Sequence, residues 1–398
     1  MQGAYEPLKS VKAIKFTYEW SAEVPSLLET FRRMCNDAVH IALTEKPKSR
    51  FDLIGLSYRR LKEYRLHTHY ILNACEVAYS TYRNKNRKCD PYVKKPFLKL
   101  DNQTYELDYL LLRIPTQPRK FLYIILNGSL YHRSFLADKS LKLGSVTITD
   151  STIVIAFSKE IAMIEPSGQI GIDVNERNVT MSDTSGRTIK HDTSEVAELK
   201  ERYKTARARI AQRTQKDRRI QQRLLAKYCK RERNRTIQAI HRVSRTIVQE
   251  AKWKRFGIVM EKLKGIRKLY RKGNGQGRAF RGRMNSWMFL EIQREIEYKA
   301  GWEGIPVVYV NARGTSRNCP DCGSRVVPLQ ERKLFCAECD KVWDRDVLAS
   351  RNIMACVVPQ ARPPACSGDG ESRRQETAGN PRSRRVEVSL EGDDVPTS

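Results

Sequence analysis

The sequence predicts a multidomain α+β protein: an N-terminal β-barrel interrupted by a helical insert, then an α/β domain carrying a four-cysteine zinc knuckle. Three observations lead there. The hydrophobic period changes from strand to helix and back to strand within the first 165 residues. The second half alternates apolar strands with long basic helices. Two Cys-x-x-Cys pairs, Cys319/Cys322 and Cys336/Cys339, stand thirteen residues apart. With 398 residues and 40% hydrophobic content, the chain is long enough for two or three packed domains.

Residues 11–18, VKAIKFTY, alternate apolar and polar side chains and read as one half-buried strand, so residues 1–24 supply the first piece of the barrel. From Pro25 the period lengthens: Leu27, Leu28, Phe31 and Met34, then Ile71, Ala74, Ala78 and Tyr82, fall on helix faces, placing a helical domain over residues 25–96. Short alternating runs return in QTYELDY, LLLRIP, KFLYIIL and SVTITDSTIVIAFS, separated by Asn-Gly and Asp-Ser turn signals, and residues 97–166 complete the barrel. Residues 167–356 open with QIGIDVN and VTMSDTSGRTIKH, an antiparallel set, followed by long helices over 194–254. FGIVME and PVVYVNA are two further strands around the helical stretch MNSWMFLEIQREIEYKAGWEG, and the knuckle, residues 316–342, is inserted before the end. On that helix Trp287, Leu290 and Tyr298 are spaced to share a core-facing side. Residues 357–398 turn to Pro, Ser, Gly, Arg and Glu without aromatics, the composition of a disordered tail.

The formal charge of +29 points to a polyanionic partner, since such a chain repels itself when compact. No run of about 20 apolar residues is present, which argues against a membrane partner. The N-terminus lacks an apolar core followed by a small-residue cleavage site, so the expectation is a protein that is not secreted but cytoplasmic and associated with the nucleoid. In that reducing compartment no disulfide is expected, and Cys35, Cys75, Cys89, Cys229, Cys356 and Cys366 read as unligated thiols.

Each two-residue spacer lets Cys319 and Cys322, or Cys336 and Cys339, face a single ion, and four thiolates fill the tetrahedral shell of one structural Zn²⁺. Such a site leaves no open position for catalysis. Carboxylates on apolar strands are the second signal, because a buried negative charge is costly unless paired or bound to metal. Asp173 ends QIGID, Glu261 ends GIVME, and Asp344 and Asp346 follow the knuckle in VWDRDVLASRNI. Acids gathered from separate strands suit two Mg²⁺ ions about 4 Å apart that activate water against a phosphodiester.

GIDVNERNVTMSDTSG, FGIVMEKLKGIR and the run from TSRNCPDCG to FCAECDKVWDRDVLASRNI together resemble the three RuvC motifs, with inserted zinc knuckle, of the TnpB (OrfB) proteins encoded by insertion sequences, a pattern shared by compact type V CRISPR effectors. The resemblance covers about residues 169–356; the first 165 residues match in layout. It implies a wedge β-barrel with a helical recognition insert and a RuvC/RNase H-like nuclease domain. It further implies that Asp173, Glu261 and Asp346 are the catalytic, Mg²⁺-binding triad, with Asp344 the alternative third acid or a residue supporting it. The chain departs from the family's pattern at two positions: Leu348 stands where Asn is usual, and Ser350 where Ala is common. The implied activity is RNA-guided cleavage of double-stranded DNA beside a short flanking motif, with a transposon-end-derived guide RNA and target DNA as partners. A guide-RNA-dependent DNA-binding repressor and a DNA transposase or its accessory protein stay open as alternatives.

Between Glu195 and Arg255 the chain holds 20 Lys and Arg against 6 acids, an excess suited to nucleic-acid backbone. Arg267, Arg271 and Lys272 with the glycines of GNGQGRAFRGR read as a flexible basic lid, and Arg317 beside the knuckle joins them as a nucleic-acid contact. The sequence leaves the oligomeric state open.

Overall fold

The computed structural model describes residues 8–85, 89–117, 119–311 and 314–357. All of the expected tail except Val357 lies outside them. Strand β1 (Leu8–Tyr18) leads into three helices, α1 (Glu23–Glu45), α2 (Arg50–Lys62) and α3 (Thr68–Arg83). A capping box closes the start of α2: Ser49 accepts from the Asp52 N–H while Asp52 accepts from the Ser49 N–H. Strands β2 (Leu98–Leu100), β3 (Glu106–Asp108), β4 (Leu111–Gln117) and β5 (Lys120–Asn127) follow, then helix α4 (Leu130–Ala137), β6 (Lys142–Ile148) and β7 (Ile153–Ile161). These strands form one seven-stranded antiparallel sheet in the order β2-β6-β7-β1-β5-β4-β3. The N-terminal strand therefore lies at its centre, and Leu122, Ile124 and Leu126 of β5 alternate inward with Phe121, Tyr123 and Ile125 outward. The inward side chains share one core with Phe31, Met34, Ile71 and Ala78 of the helical insert.

Helix α4 lies in a stretch whose residues read as strand and turn. Ser129 begins it, paired with His132 three residues on, so the Asn127-Gly128 signal marks a helix start rather than a hairpin. Gly128 is needed there, because a Cβ would come 2.7 Å from His132 Cβ.

The second half builds a five-stranded mixed sheet from β8 (Gly168–Val174), β9 (Asn178–Asp183), β10 (Thr188–Asp192), β11 (Phe256–Glu261) and β12 (Val307–Val310). Its order is β10-β9-β8-β11-β12, with β10, β9 and β8 antiparallel and β8, β11 and β12 parallel. Two basic helices, α5 (Ser194–Arg213) and α6 (Arg218–Lys254), connect β10 to β11. Asp217 starts α6 by accepting from the N–H groups of Arg219 and Ile220, and Arg255 ends it in the left-handed conformation at φ 56°. The buried stripe Ile240, Ile247, Val248 and Ala251 packs into the same core as Ile170, Ile172, Ile258 and Met260.

After β11 the chain makes a 3₁₀ turn (Ile266–Tyr270), helix α7 (Arg278–Ser286) and helix α8 (Phe289–Trp302). Much of the expected flexible loop is thus helical: RAFRGRMNS forms α7 despite Gly282. The shared face expected of Trp287, Leu290 and Tyr298 is not formed, since Trp287 precedes α8 and is buried, whereas Leu290 is 49% exposed. The knuckle contributes β13 (Val327–Pro328), β14 (Lys333–Cys336) and β15 (Lys341–Asp344), and helix α9 (Arg345–Ala355) returns across the large sheet. Among the described residues no helix is long and apolar enough to cross a membrane.

Candidate functional site

Strands β8 and β11 are parallel neighbours in the register Met260↔Ile172, so the next residue on each, Glu261 and Asp173, stand side by side where both strands approach their C-terminal ends. Such ends are where open α/β sheets present ligands. Helix α9 delivers Asp346 to the same place. It can cross β8 closely because residue 171 is glycine: a Cβ there would lie 2.1 Å from the Ser350 carbonyl oxygen and 2.6 Å from the Met354 nitrogen. Ser182 and Ser350 hydroxyls, 2.6 Å apart, fasten the same crossing.

Each carboxylate is held. Asn175 Nδ2 donates to Asp173 Oδ2 at 2.7 Å, Thr315 Oγ1 to Glu261 Oε1 at 2.5 Å, and Asn178 Nδ2 to Asp346 Oδ2 at 3.2 Å. Gln293, buried on α8, fixes the Glu261 backbone by donating to its carbonyl at 2.7 Å. Burial pushes the Asp173 carboxyl up to about 7; the Asn175 bond opposes this, repulsion from Glu261 and Asp346 adds to it, and Arg332 opposes it. Burial also raises Glu261, against the Thr315 hydrogen bond. Asp346 is 4% exposed. Half-buried Asp173 and Glu261 beside buried Asp346 repel one another, so positive charge brought to them is stabilising.

The sequence reading omits one partner, Arg332. Its guanidinium donates to Asp346 Oδ1 and, at 3.3 Å, to Asn175 Oδ1. It comes from the turn between β13 and β14, where Glu331 and Arg332 both adopt positive φ, 56° and 62°. Asp344 has a different task from Asp346. It caps α9, accepting at Oδ1 from the Asp346 and Val347 N–H groups at 3.0 and 3.2 Å, while its Oδ2 accepts from Lys190 at 2.7 Å. Partial burial works to raise its carboxyl, but the Lys190 bond and the Val347 N–H hold it below the ordinary value.

The four knuckle cysteines converge, their Sγ atoms all within 4.8 Å of one another. Cys319 and Cys339 sulfurs are 3.9 Å apart and those of Cys322 and Cys336 3.5 Å, distances between separate thiols. Gly323, at φ 81°, makes the turn of the first pair, with its N–H donating to the Cys319 carbonyl. Hydrogen bonds from Ser324 lower Cys322 to about 6, whereas Cys339 is raised to about 12, first by Cys322, because clustered thiols resist sharing negative charge without a cation. This donor set fits Zn²⁺. Among the described residues it is the only such group of three or more His, Cys, Asp or Glu side chains. Leu348 is fully buried against Cys319, Cys336, Val326 and Leu334, part of the knuckle's small core. Asn352 Nδ2 ties α9 to the knuckle by donating to the Thr315 and Asn318 carbonyls, each at 2.8 Å.

Arg267, Arg271 and Lys272 are exposed together on the segment after Glu261, and Arg317 is exposed beside the knuckle. Helices α5 and α6 expose most of their Lys and Arg, although Arg207 is paired with Glu232 and Lys254 with buried Asp183.

Residues 289–353, spanning α8 to α9, match the Cas12f1-like TNB domain family. The TnpB-like protein MJ0751 of Methanocaldococcus jannaschii is 35% identical over 250 residues, covering 61% of this chain and 89% of that protein. In fold, the chain is similar to the Cas12f1–sgRNA–target DNA complex, with TM-score 0.59 at 12% identity over 87% of this chain and 99% of that one. It is also similar to the mini RNA-guided endonuclease CRISPR-Cas_phi3, with TM-score 0.55 at 10% identity over 92% and 94%. The extent and identity of the match to MJ0751, together with the TNB-domain match over the knuckle, establish that this chain belongs to the TnpB family.

Proposed function

We propose that this chain is an RNA-guided DNA endonuclease that cuts double-stranded DNA beside a short flanking motif by metal-dependent hydrolysis. The observation that carries the reading is the side-by-side placement of Asp173 and Glu261 on parallel strands with Asp346 delivered by α9. In this reading residues 167–356 are a RuvC/RNase H-like nuclease domain, supported by the mixed sheet in which β8, β9 and β10 are antiparallel while β11 and β12 run parallel with β8. Residues 1–24 and 97–166 form the wedge barrel, 25–96 the recognition insert, 316–342 the knuckle and 357–398 a tail. The partners are a transposon-end-derived guide RNA and target DNA, met in the cytoplasm at the nucleoid.

Asp173, Glu261 and Asp346 would hold two Mg²⁺ ions. When bound, the ions supply an activated water and charge compensation at the leaving oxygen. The chain's own residues do the positioning. Thr315 and Gln293 fix Glu261, Asn178 and Arg332 fix Asp346, and Asp344 holds the helix that carries it. Cys319, Cys322, Cys336 and Cys339 hold one structural Zn²⁺ that keeps Thr315 and Arg332 in place. The basic surface of α5 and α6 receives the backbone of the guide–target hybrid by charge and shape.

The test is to purify the protein with its bound RNA, sequence that RNA, and incubate the complex with matched duplex and Mg²⁺. Cutting programmed by the RNA and abolished by Asp173→Ala is the expected result. Guided binding without cutting by the unaltered chain would make it a repressor, and absence of any defined RNA would favour a transposase-type role.

A further inference from the structure

The segment after Glu261 is folded back on itself. Leu263 is buried, Ile266 and Tyr270 pack against the second core, and the Tyr270 ring meets Phe280 edge-on with centroids 6.0 Å apart. Asn274 Nδ2 donates to the Leu269 carbonyl at 2.9 Å, Asn285 Nδ2 to the Tyr270 carbonyl at 3.3 Å, and Arg281 to the Gln276 carbonyl. The 3₁₀ turn and α7 thereby enclose a cleft of about 500 Å³, lined by Arg267, Lys268, Arg271, Lys272, Arg281 and Asn285 among others, with no carboxylate in its wall. None of its five cations forms an ion pair among the described residues.

Five like charges around one cleft repel each other unless an anion neutralises them. They are distributed along it, two on the 3₁₀ turn, two just after it and one on α7, which suits several consecutive phosphates better than a single phosphate ion. The cleft also begins only four residues past Glu261, at Gly265, with buried Leu263 anchoring the connection, so its position is tied to the carboxylates. Resting on the reading of those carboxylates as a DNA-cutting site, we propose that this cleft is the binding site for the backbone of a single DNA strand on its way to them. Its cations contact phosphates and leave the bases unread. The segment is therefore a loading rail joined to the catalytic strand, and a strand whose scissile phosphate lies at Asp173 and Glu261 has its neighbouring phosphates in the cleft.

The test uses the full chain with its co-purified RNA and the variant R267A/K268A/R271A/K272A; Arg281 is retained because it also bonds the Gln276 carbonyl. The probe is a fluorescein-labelled oligothymidylate titrated in Ca²⁺ over a range of NaCl concentrations. For single strands log K falls with log salt by about 0.7 per phosphate contact, so the slope should shrink by about 2 to 3. Cutting of matched duplex should slow at least tenfold while RNA retention and guided duplex binding stay within twofold. Lys272→Glu, one exposed position, should reproduce the direction and controls for a folding defect in the quadruple variant. An unchanged slope overturns the proposal, and so does loss of the bound RNA, which would assign these cations to the guide. Asp173→Ala separates the two readings: it should abolish cutting with the slope intact, and if it cuts normally the carboxylate assignment fails while the slope still judges the cleft.

Discussion

Replacing Asp173 by Asn should stabilise the Mg²⁺-free protein at alkaline pH and leave it indifferent to Mg²⁺. The substitution removes one ionisable group and keeps the shape, since the amide oxygen can still accept from Asn175 Nδ2. Folding raises the Asp173 carboxyl from 3.8 to about 7, mainly through burial. A raised folded-state value means that the native state holds a proton the unfolded chain has released. The associated stability is intact below about pH 4 and disappears as pH rises through 7. Three pH units at about 1.4 kcal/mol each give an upper bound of about 4 kcal/mol, and water reaching this half-buried carboxyl reduces that to about 2–4 kcal/mol. The assay is urea unfolding of the unaltered chain and the Asn variant in Mg²⁺-free buffer from pH 5 to 8.5. The two stabilities should diverge with rising pH, the unaltered chain becoming the weaker. Mg²⁺ at 100 times its dissociation constant should restore about 2.7 kcal/mol to the unaltered chain and little to the variant. Parallel pH profiles, or equal stabilisation of both by Mg²⁺, would refute the argument that burial and neighbouring acids make Asp173 a cation ligand.

Other substitutions test the parts that hold the site. Arg332→Ala frees Asp346 from a competing cation, so calorimetry should show Mg²⁺ binding about two- to fivefold tighter while cutting slows. Gly171→Ala would push α9 off β8, and urea unfolding should show a loss of about 1–3 kcal/mol together with loss of cutting. Cys336→Ser should reduce the zinc content measured by mass spectrometry from one per chain toward zero and lower the unfolding temperature.

The sequence makes some features legible for definite physical reasons. A carboxylate ending a run such as QIGID or GIVME stands out because burying it needs compensation, and matched Cys-x-x-Cys pairs leave few chemical alternatives to a metal. Long helices over residues 194–254 are visible because their apolar stripe persists, and they appear as α5 and α6 with a break at the Asp217 cap. The choice between Asp344 and Asp346 turns on one local rule: the first acid of Asp-x-Asp caps the helix, leaving the second inside its first turn. Arg332 is illegible by pattern, because it reaches Asp346 through two left-handed residues in a hairpin and no periodicity reports that geometry. Helix α4 is hidden by its length of eight residues and by Gly128, which resembles a hairpin turn until the Ser129 cap is considered. Leu290 fails as a core residue because α8 starts at Phe289, which changes the face that any 3.6-residue count assigns to it.

The knuckle has a larger part in this arrangement than folding itself. Thr315, at its entrance, binds Glu261; Arg332, in its first hairpin, binds Asp346; and Asp344, at the end of its last strand, caps the helix bearing Asp346. Asn352 closes the loop by holding the Thr315 and Asn318 carbonyls from α9. Two of the three acids are therefore oriented by a module whose own core is five buried side chains, two of them cysteines, too small to stay ordered without a cross-link. Removing the metal from the cysteines should accordingly loosen Glu261 and Asp346 more than Asp173, whose holder Asn175 sits on its own strand end and meets the knuckle only through the 3.3 Å bond from Arg332. The measurable consequence is that zinc-depleted protein should bind Mg²⁺ more weakly than zinc-loaded protein although no cysteine touches the carboxylates. Equal Mg²⁺ affinity in the two forms would mean that the sheet alone positions the site.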